Sequence, residues 1–306
     1  MIHGTHVGVE IQLGDIRPQR HQLVAFARVS ARGLERVRNQ LRAGDRYSRQ
    51  RDKQRSSSHC HFSVSILVET MLFEVRGMSK RFGAITALAD VSFHVRAGEV
   101  LGLIGPNGAG KSTLFECMAG VLPADAGAVS GSAERSRMLF YVPDGIAPWP
   151  AQTVEWALDF AIGFFEGRRD LREEVVRQLD LNPILRQTMG TLSKGQRKRA
   201  LLGIGLLTPQ PALLIDEPFD GLDLRQARDV RVALRWHAER GRTLFLSIHQ
   251  ISDAARFCDR FVLLSSGRVC GEGTAAELAA MATARDPSRT YADLVADLEE
   301  VFLALT

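Results

Sequence analysis

The chain has 306 residues, 45% of them hydrophobic and 24% charged, enough for one or two globular domains with a sizeable core. The formal net charge of +4 comes from residues 1–70, which hold 12 Lys and Arg against 6 Asp and Glu, whereas residues 71–306 hold 27 against 29. This balance argues against a nucleic-acid-binding face on the larger part. The sequence also lacks an apolar stretch of about 18 residues that could span a membrane, and its four cysteines lack the spacing of a zinc site.

Residues 1–70 differ in composition from the rest of the chain. They contain five of the eight histidines, and the polar run at 46–61 has no hydrophobic period, which predicts disorder. A short basic helix around residues 34–41 and a strand at 62–68 are expected, but neither could bury a core. Two interpretations stay open: a basic tail that contacts anionic lipid or RNA, or upstream sequence that is translated because the start was placed too early. The globular domain is expected to cover residues 71–306.

From Met71 onward the pattern predicts strands first and then alternating strands and helices. Segments 72–78 and 91–98 alternate apolar and polar residues, as half-exposed antiparallel strands do. Helical spacing of apolar residues predicts a helix at 113–122, and a helix-rich middle follows it. Short apolar runs typical of buried strands in a central sheet occupy 99–104, 211–218, 243–249 and 260–267. The sequence therefore predicts an α/β fold.

The run GPNGAGKST at 105–113 lies between a predicted strand and a predicted helix, and it matches G-x-x-x-x-G-K-[ST]. Glycines let the backbone curl so that successive N–H groups point at phosphate oxygens, and the helix start adds its positive dipole end. Lys111 is expected to reach the β- and γ-phosphates, and the Ser112 hydroxyl to bind Mg²⁺. The residues expected to bind a nucleoside triphosphate are Gly105, Pro106, Asn107, Gly108, Ala109, Gly110, Lys111, Ser112 and Thr113.

Two acids, Asp216 and Glu217, follow the apolar run ALLI at 212–215. The carboxyl end of a strand is where α/β folds place ligands. Asp216 is expected to hold Mg²⁺, and Glu217 to orient or deprotonate the attacking water. Such a pair alone could be solvated acids at a strand end, but a preceding phosphate loop favours the catalytic interpretation.

Taken together, these motifs resemble the nucleotide-binding subunit of an ABC transporter over essentially all of residues 71–306. The resemblance implies a P-loop NTPase fold with a RecA-like core, an antiparallel β subdomain and an α-helical subdomain at about 145–200. It also implies an ATPase with ATP and Mg²⁺ as cofactors.

The same resemblance implies further nucleotide contacts. Phe82 in KRFG matches the aromatic residue that stacks on adenine. The segment TLSKGQRKR at 191–199 resembles the signature motif, and its Ser193, Gly195 and Gln196 would form a phosphate cradle at a helix start. In the family this cradle faces the nucleotide of a second subunit, so a homo- or heterodimer is expected.

Two other positions complete the expected site. Asp223 in DGLD would lie at the seam between subunits, and His249 matches the switch histidine that contacts the γ-phosphate. The expected catalytic residues are therefore Lys111, Glu217 and His249.

Two positions depart from the family pattern. YVPD places Asp144 where the family usually has Gln; a carboxylate can bind Mg²⁺ or water but cannot donate as an amide does. Lys194 replaces the second residue of the usual S-G-G-Q and resembles exporter subunits of the ABC-2 superfamily. The expected metal-binding residues are Ser112, Asp216 and Asp144.

The resemblance implies a function in export, with a separate transmembrane permease as partner and a location on the cytoplasmic face of the cell membrane. The loop at 148–150 is the expected docking surface for that permease, while the aromatic residues at 149–165 are expected to be mostly core. No nucleic-acid partner is expected. Two other functions stay open: a soluble ABC-type ATPase that acts on nucleic acid or ribosomes, and a nucleotide-binding regulatory subunit with little turnover.

Overall fold

A computed structural model describes residues 9–10, 63–64, 71–131, 134–286, 291 and 297–306. The chain divides into two units at Met71. In the first unit, strand β1 (Val9–Glu10) pairs antiparallel with β2 (Ser63–Val64). The expected disorder at 46–61 and the expected helix around 34–41 lie outside the described residues.

An antiparallel sheet opens the second unit, in the order β4-β3-β6. Its strands are β3 (Met71–Phe82), β4 (Ile85–Arg96) and β6 (Ala126–Gly131). Alternate residues of β3, such as Phe73 and Val75, are fully buried because one face of the sheet packs on the core. The half-exposed antiparallel strands predicted at 72–78 and 91–98 are confirmed.

The central sheet has six strands in the order β11-β10-β5-β9-β8-β7. Its first five strands along the chain are mutually parallel, and only β11 is antiparallel, at one edge. The six strands of this sheet are β5 (Val100–Ile104), β7 (Leu139–Val142), β8 (Ala212–Asp216), β9 (Thr243–Ile248), β10 (Arg260–Ser265) and β11 (Arg268–Gly273). Every residue of β5, β8 and β9 is buried, because both faces of this sheet are covered.

The helices cover the two faces of the central sheet unequally. One face packs with the first helix and the antiparallel sheet, and the opposite face packs with most of the other helices. Among the described residues, the α-helices in chain order are α1 (Lys111–Ala119), α2 (Arg135–Met138), α3 (Val154–Phe164), α4 (Arg172–Gln178), α5 (Lys194–Leu207), α6 (Leu224–Ala238), α7 (Ile251–Phe257), α8 (Ala275–Arg285) and α9 (Leu298–Leu305). The predicted α/β class, with an antiparallel sheet and a helical region, is confirmed.

The aromatic residues around α3 are arranged differently from the prediction. Trp149, Trp156 and Phe164 are 37%, 39% and 68% exposed, so the expectation that most of the aromatic residues at 149–165 are core residues is wrong. Together with half-buried Phe160 they form a chain of ring contacts with centroids 4.9–5.7 Å apart. These four residues are the aromatic surface. Phe165, by contrast, turns inward and packs edge-on against Phe140.

Within the described ranges, no helix is both long enough and apolar enough to cross a membrane.

Candidate nucleotide-binding and catalytic site

The predicted motifs follow four adjacent parallel strands and therefore meet at one edge of the central sheet. The phosphate loop follows β5, His249 follows β9, Asp216 and Glu217 end β8, and Asp144 follows β7. Since the carboxyl ends of parallel strands lie on the same side, segments far apart in sequence are brought together here. We call this region the catalytic edge.

The phosphate loop, residues 105–113, forms a tight turn between β5 and α1. Gly110 precedes α1 with φ of 104°, and a Cβ there would lie 2.5 Å from the carbonyl oxygen of Ala87, so only glycine fits. Pro106, Asn107, Gly108 and Ser112 are exposed, whereas Gly105 and Ala109 are buried; Thr113 is intermediate. The exposed side of the loop is thus the side available to phosphate.

Lys111 is the buried cation of this site, with 6% of its surface exposed. Its Nζ donates to the carbonyl oxygens of Gly105 at 2.8 Å and Pro106 at 3.2 Å. Burial lowers the pKa of Lys111, and the nearby carboxylates of Glu217 and Asp216 oppose that shift. The ammonium group is therefore held between the phosphate loop and the two acids.

Asp216 is 4% exposed, and a neighbouring strand holds its carboxylate. Ser247 lies directly opposite Asp216 in the register of β8 and β9, and its hydroxyl donates to Oδ1 of Asp216. The hydroxyl oxygen of Ser247 accepts the backbone N–H of Glu217 at 3.0 Å. Ser247 thus orients both acids.

Sequence reasoning missed Ser247, although one signal was present. A serine in an otherwise apolar, buried strand needs a hydrogen-bond partner. Tyr141 was also missed: its hydroxyl lies 3.5 Å from Oδ2 of Asp216. Burial and the charge of Asp216 raise the pKa of Tyr141, so that its hydroxyl stays protonated.

Glu217 and His249 form a pair beyond the strand ends. Nδ1 of His249 lies 3.0 Å from Oε2 of Glu217, and their side chains are 42% and 22% exposed respectively. Glu217 has φ of 47°, a left-handed conformation that costs a non-glycine residue about 1–3 kcal/mol. The two side chains line a cleft of about 310 Å³ together with Asp220 and Gln250. This geometry suits a base whose carboxylate is oriented by an imidazole.

The signature residues form the N-terminal turn of α5. Ser193 caps the helix: its Oγ accepts from the N–H of Gln196 at 3.2 Å, and the side chain of Gln196 accepts from the N–H of Ser193 at 2.9 Å. Gly195 is buried beneath this turn. Lys194 pairs with Asp220 at 2.5 Å, and that hydrogen bond raises the pKa of Lys194.

The remaining predicted residues lie at the margins of the site. Asp223 caps α6 and accepts from the N–H of Gln226 at 2.8 Å. Phe82, at the end of β3, is 47% exposed, and Nζ of Lys80 lies 5.7 Å from its ring centre. The carboxylate of Asp144 pairs with Lys198 at 2.5 Å.

Comparisons with known proteins identify the family of this chain. Residues 88–220 match the family described as ABC transporter. Over 224 residues the chain is 34% identical to the sulfate/thiosulfate import ATP-binding protein CysA of Bordetella parapertussis; the match covers 68% of this chain and 63% of CysA.

Other relatives include importers and exporters. The hemin import ATP-binding protein HmuV of Thermobifida fusca is 30% identical over 234 residues, which cover 68% of this chain and 79% of HmuV. The SkfA peptide export ATP-binding protein SkfE of Bacillus subtilis is 28% identical over 208 residues, which cover 65% of this chain and 87% of SkfE.

Solved structures share the fold. The structure of an ATP-binding subunit of an ABC transporter superposes with a TM-score of 0.68 and 29% identity, covering 76% of this chain and 99% of that subunit. A dimeric structure of a bacterial ABC transporter cassette superposes with a TM-score of 0.60 and 22% identity, covering 66% of this chain and 98% of the cassette. The chain therefore belongs to the ABC transporter family, in the group of ATP-binding cassettes.

Proposed function

We propose that this chain binds and hydrolyses ATP as one of two nucleotide-binding subunits, and that it drives export through a separate membrane-spanning subunit. The observation that supports this most is the position of Lys111, which is buried between the phosphate loop and the acids beside the Glu217–His249 pair. One sheet edge thus combines phosphate binding with a candidate general base.

ATP would bind along the exposed side of the phosphate loop. The backbone N–H groups of residues 107–112 and the start of α1 would bind the phosphates, and Lys111 would add its positive charge. Phe82 is exposed at the end of β3, where its ring can stack on adenine.

Mg²⁺ fits the oxygen atoms that Ser112 and Asp216 provide. A hydroxyl and a carboxylate are the hard oxygen ligands that Mg²⁺ prefers. Oδ2 of Asp216 receives a long bond of 3.5 Å from Tyr141, which leaves it able to accept a stronger partner. Bound to these residues, Mg²⁺ would offset negative charge on the phosphates.

Glu217 would act as the base for the attacking water. Its backbone N–H is fixed by Ser247, and its carboxylate lies 3.0 Å from His249, so that its position is set from two sides. His249 would orient this carboxylate and contact the γ-phosphate. General-base catalysis of this kind contributes about 10²- to 10⁴-fold to a rate.

A second subunit would complete the site. Ser193 and Asp223 make hydrogen bonds to Gln196 and Gln226 of their own helices, so their turns are ordered and exposed. The N-terminal turn of α5, with its positive dipole end, can then bind the γ-phosphate of a nucleotide on a partner subunit. Dimerisation of a related cassette supports this arrangement.

The aromatic surface would dock the membrane subunit at the cytoplasmic face of the membrane. Three large aromatic side chains exposed in one contiguous patch are unusual on a soluble monomer and are typical of a protein interaction site. The surface begins five residues after Asp144, so a partner bound there contacts the chain close to the catalytic edge.

Export is the finer part of the proposal. Lys194 at the second position of the signature motif is the feature that resembles exporter subunits of the ABC-2 superfamily. The similarity to SkfE supports export, whereas CysA and HmuV are import proteins.

Steady-state ATP hydrolysis by the purified full chain, alone and with its reconstituted membrane partner, tests this function. We expect Mg²⁺-dependent hydrolysis that rises more steeply than linearly with protein concentration and increases in the presence of the partner. Nucleotide binding without hydrolysis under both conditions would instead support a regulatory nucleotide-binding subunit. Accumulation of cargo inside proteoliposomes that carry this chain on their outer face would establish export.

A further inference from the structure

Lys198 is a buried lysine that the nucleotide chemistry described above does not use. It lies on α5, with 2% of its side chain exposed. Its Nζ donates to Oδ1 of Asp144 at 2.5 Å and to the backbone carbonyl oxygen of Asp216 at 3.0 Å. A single ammonium group therefore joins helix α5, the loop after β7 and the end of β8.

Burial makes this ion pair different from its neighbour on the same helix. One turn earlier, Lys194 pairs with Asp220 at the same distance of 2.5 Å. The two carboxylates are equally exposed, 33% for Asp144 and 34% for Asp220, but Lys194 is 58% exposed and Lys198 only 2%. Water screens the exposed pair, which contributes little to stability. A buried ammonium group, in contrast, needs its counter-ion, and removal of one partner leaves an uncompensated charge.

Asp144 is the counter-ion that the structure provides for Lys198. The other hydrogen bond of Lys198 goes to a neutral carbonyl group, which cannot compensate a full positive charge. If the Asp144 carboxylate moved to a metal ion, Lys198 would keep only this neutral hydrogen-bond partner. The pairing thus opposes a role for Asp144 as a Mg²⁺ ligand.

We propose that Lys198 is a positioning residue, which fixes the carboxyl end of β8 and with it Asp216 and Glu217. In this arrangement Asp144 is the counter-ion of Lys198 and not a ligand of Mg²⁺. This inference rests on the proposed function. Because Asp144 lies in the loop that leads to the aromatic surface, the ion pair also links that surface to the acids of the catalytic edge.

A double-mutant cycle on the full chain tests the ion pair without any nucleotide. The variants are Asp144→Asn, Lys198→Met and the double variant, and the measurement is equilibrium unfolding in urea. Asp144→Asn is expected to lower the folding equilibrium constant by roughly 100-fold, because it leaves the buried ammonium group of Lys198 without its counter-ion. Lys198→Met is expected to lower it by roughly 10-fold, because the Asp144 carboxylate left behind is 33% exposed. The double variant is expected to regain most of these losses. Additive effects of the two single changes would overturn the counter-ion assignment.

The matched control is Lys194→Met, which removes the exposed pair on the same helix. We expect less than about a 5-fold change in the folding equilibrium constant. A loss equal to that of Lys198→Met would show that burial does not distinguish the pairs and would contradict the proposal.

Binding of a fluorescent ATP analogue at increasing Mg²⁺ concentration tests the positioning role. Asp144→Asn keeps an oxygen acceptor for Lys198, so the Mg²⁺ concentration for half-maximal binding is expected to stay within about 3-fold of the unaltered chain. Lys198→Met frees the carbonyl of Asp216 and is expected to raise that concentration by about 10-fold. Lys198→Gln, which retains a donor, is expected to restore part of the loss.

The opposite pattern, a raised Mg²⁺ requirement in Asp144→Asn and an unchanged one in Lys198→Met, would make Asp144 the metal ligand and overturn the proposal. Failure of the unaltered chain to bind the nucleotide would overturn the proposed function and the positioning role together. The unfolding cycle would still report on the ion pair itself.

Discussion

The catalytic edge and the aromatic surface reverse the usual distribution of side chains in opposite ways. At the catalytic edge polar and charged groups are buried, among them Lys111, Asp216 and Ser247. At the aromatic surface large apolar groups are exposed instead, with Phe164 at 68% and Trp156 at 39%. Buried polar groups and exposed apolar patches are the two departures that most often indicate function.

This difference indicates that the two regions bind different kinds of partner. The buried polar groups hydrogen-bond to one another or to the backbone, so their positions are fixed before any ligand arrives. The exposed rings contact chiefly each other, and their outer faces are free to bury area against another protein. Chemistry is expected at the first region and docking at the second.

The largest effect is expected from Glu217→Gln at the catalytic edge. The amide cannot accept a proton from water, so turnover should fall by about 10²- to 10⁴-fold. ATP binding should persist, because Lys111 and the phosphate loop are unchanged, and an ATP-bound dimer should accumulate. Single-turnover hydrolysis and size-exclusion chromatography with ATP measure the two effects. Undiminished turnover would remove Glu217 from the role of base.

A pH-dependent loss of stability is expected from His237, a buried polar group away from the catalytic edge. No hydrogen bond reaches its Nε2 in the described part of the chain. Burial, aided by Arg242, lowers the pKa of His237 to about 4. Between that value and the ordinary pKa of about 6.5, the unfolded chain binds a proton that the folded chain does not, so stability falls as pH falls.

The loss of folding stability expected from His237 is at most roughly 3 kcal/mol between pH 7 and pH 4. Each pH unit between the two pKa values contributes about 1.4 kcal/mol. Urea unfolding of the unaltered chain and of His237→Gln at several pH values measures it. The variant should show the smaller pH dependence. Parallel curves for the two proteins would exclude His237 as the source.

A smaller effect is expected from Ser247→Ala. The change leaves Oδ1 of Asp216 and the N–H of Glu217 without the hydroxyl that now bonds both, which should cost about 1–3 kcal/mol of stability. It should also weaken nucleotide binding in the presence of Mg²⁺. Ser136→Ala, at an exposed serine, is the matched control and should stay within about 0.5 kcal/mol of the unaltered chain. Equal stability of both variants would show that Ser247 does not organise the acids.

The smallest effect on stability is expected from Phe164→Ser at the aromatic surface, less than about 1 kcal/mol, because the ring is mostly exposed. Stimulation of hydrolysis by the membrane subunit should nevertheless decrease. Leu158→Ala on the same helix removes a fully buried side chain and should cost about 2–5 kcal/mol. Full stimulation of the Phe164→Ser protein would argue against docking at this surface.

The parts of the site that are local in sequence could be predicted. The phosphate loop needs glycines, a lysine and a hydroxyl within nine residues, and Asp216 and Glu217 follow a recognisable apolar strand. Alternating or continuous apolar runs likewise predict which strands are half-exposed and which are buried.

Contacts that depend on strand register could not be predicted in the same way. Ser247 meets Asp216 only because β9 lies beside β8 in a particular register, which no local pattern specifies. The sequence does not predict that Lys198 pairs with Asp144, because their contact requires helix α5 to pack near the end of β7. Helical spacing in α3 does not reveal which face lacks a neighbour, so the sequence pattern cannot distinguish exposed aromatic residues from core ones.

Gly267 supports the phosphate loop from a distant part of the chain. It lies in the turn between β10 and β11, with φ of 73°, and a Cβ there would lie 2.6 Å from the carbonyl oxygen of Ala87. Its N–H donates to the carbonyl of Ala109 at 3.1 Å, and its carbonyl accepts from the N–H of Ala89 at 2.8 Å. During synthesis, residues 105–113 leave the ribosome well before this turn exists. The loop therefore acquires this support only after most of the protein has been translated.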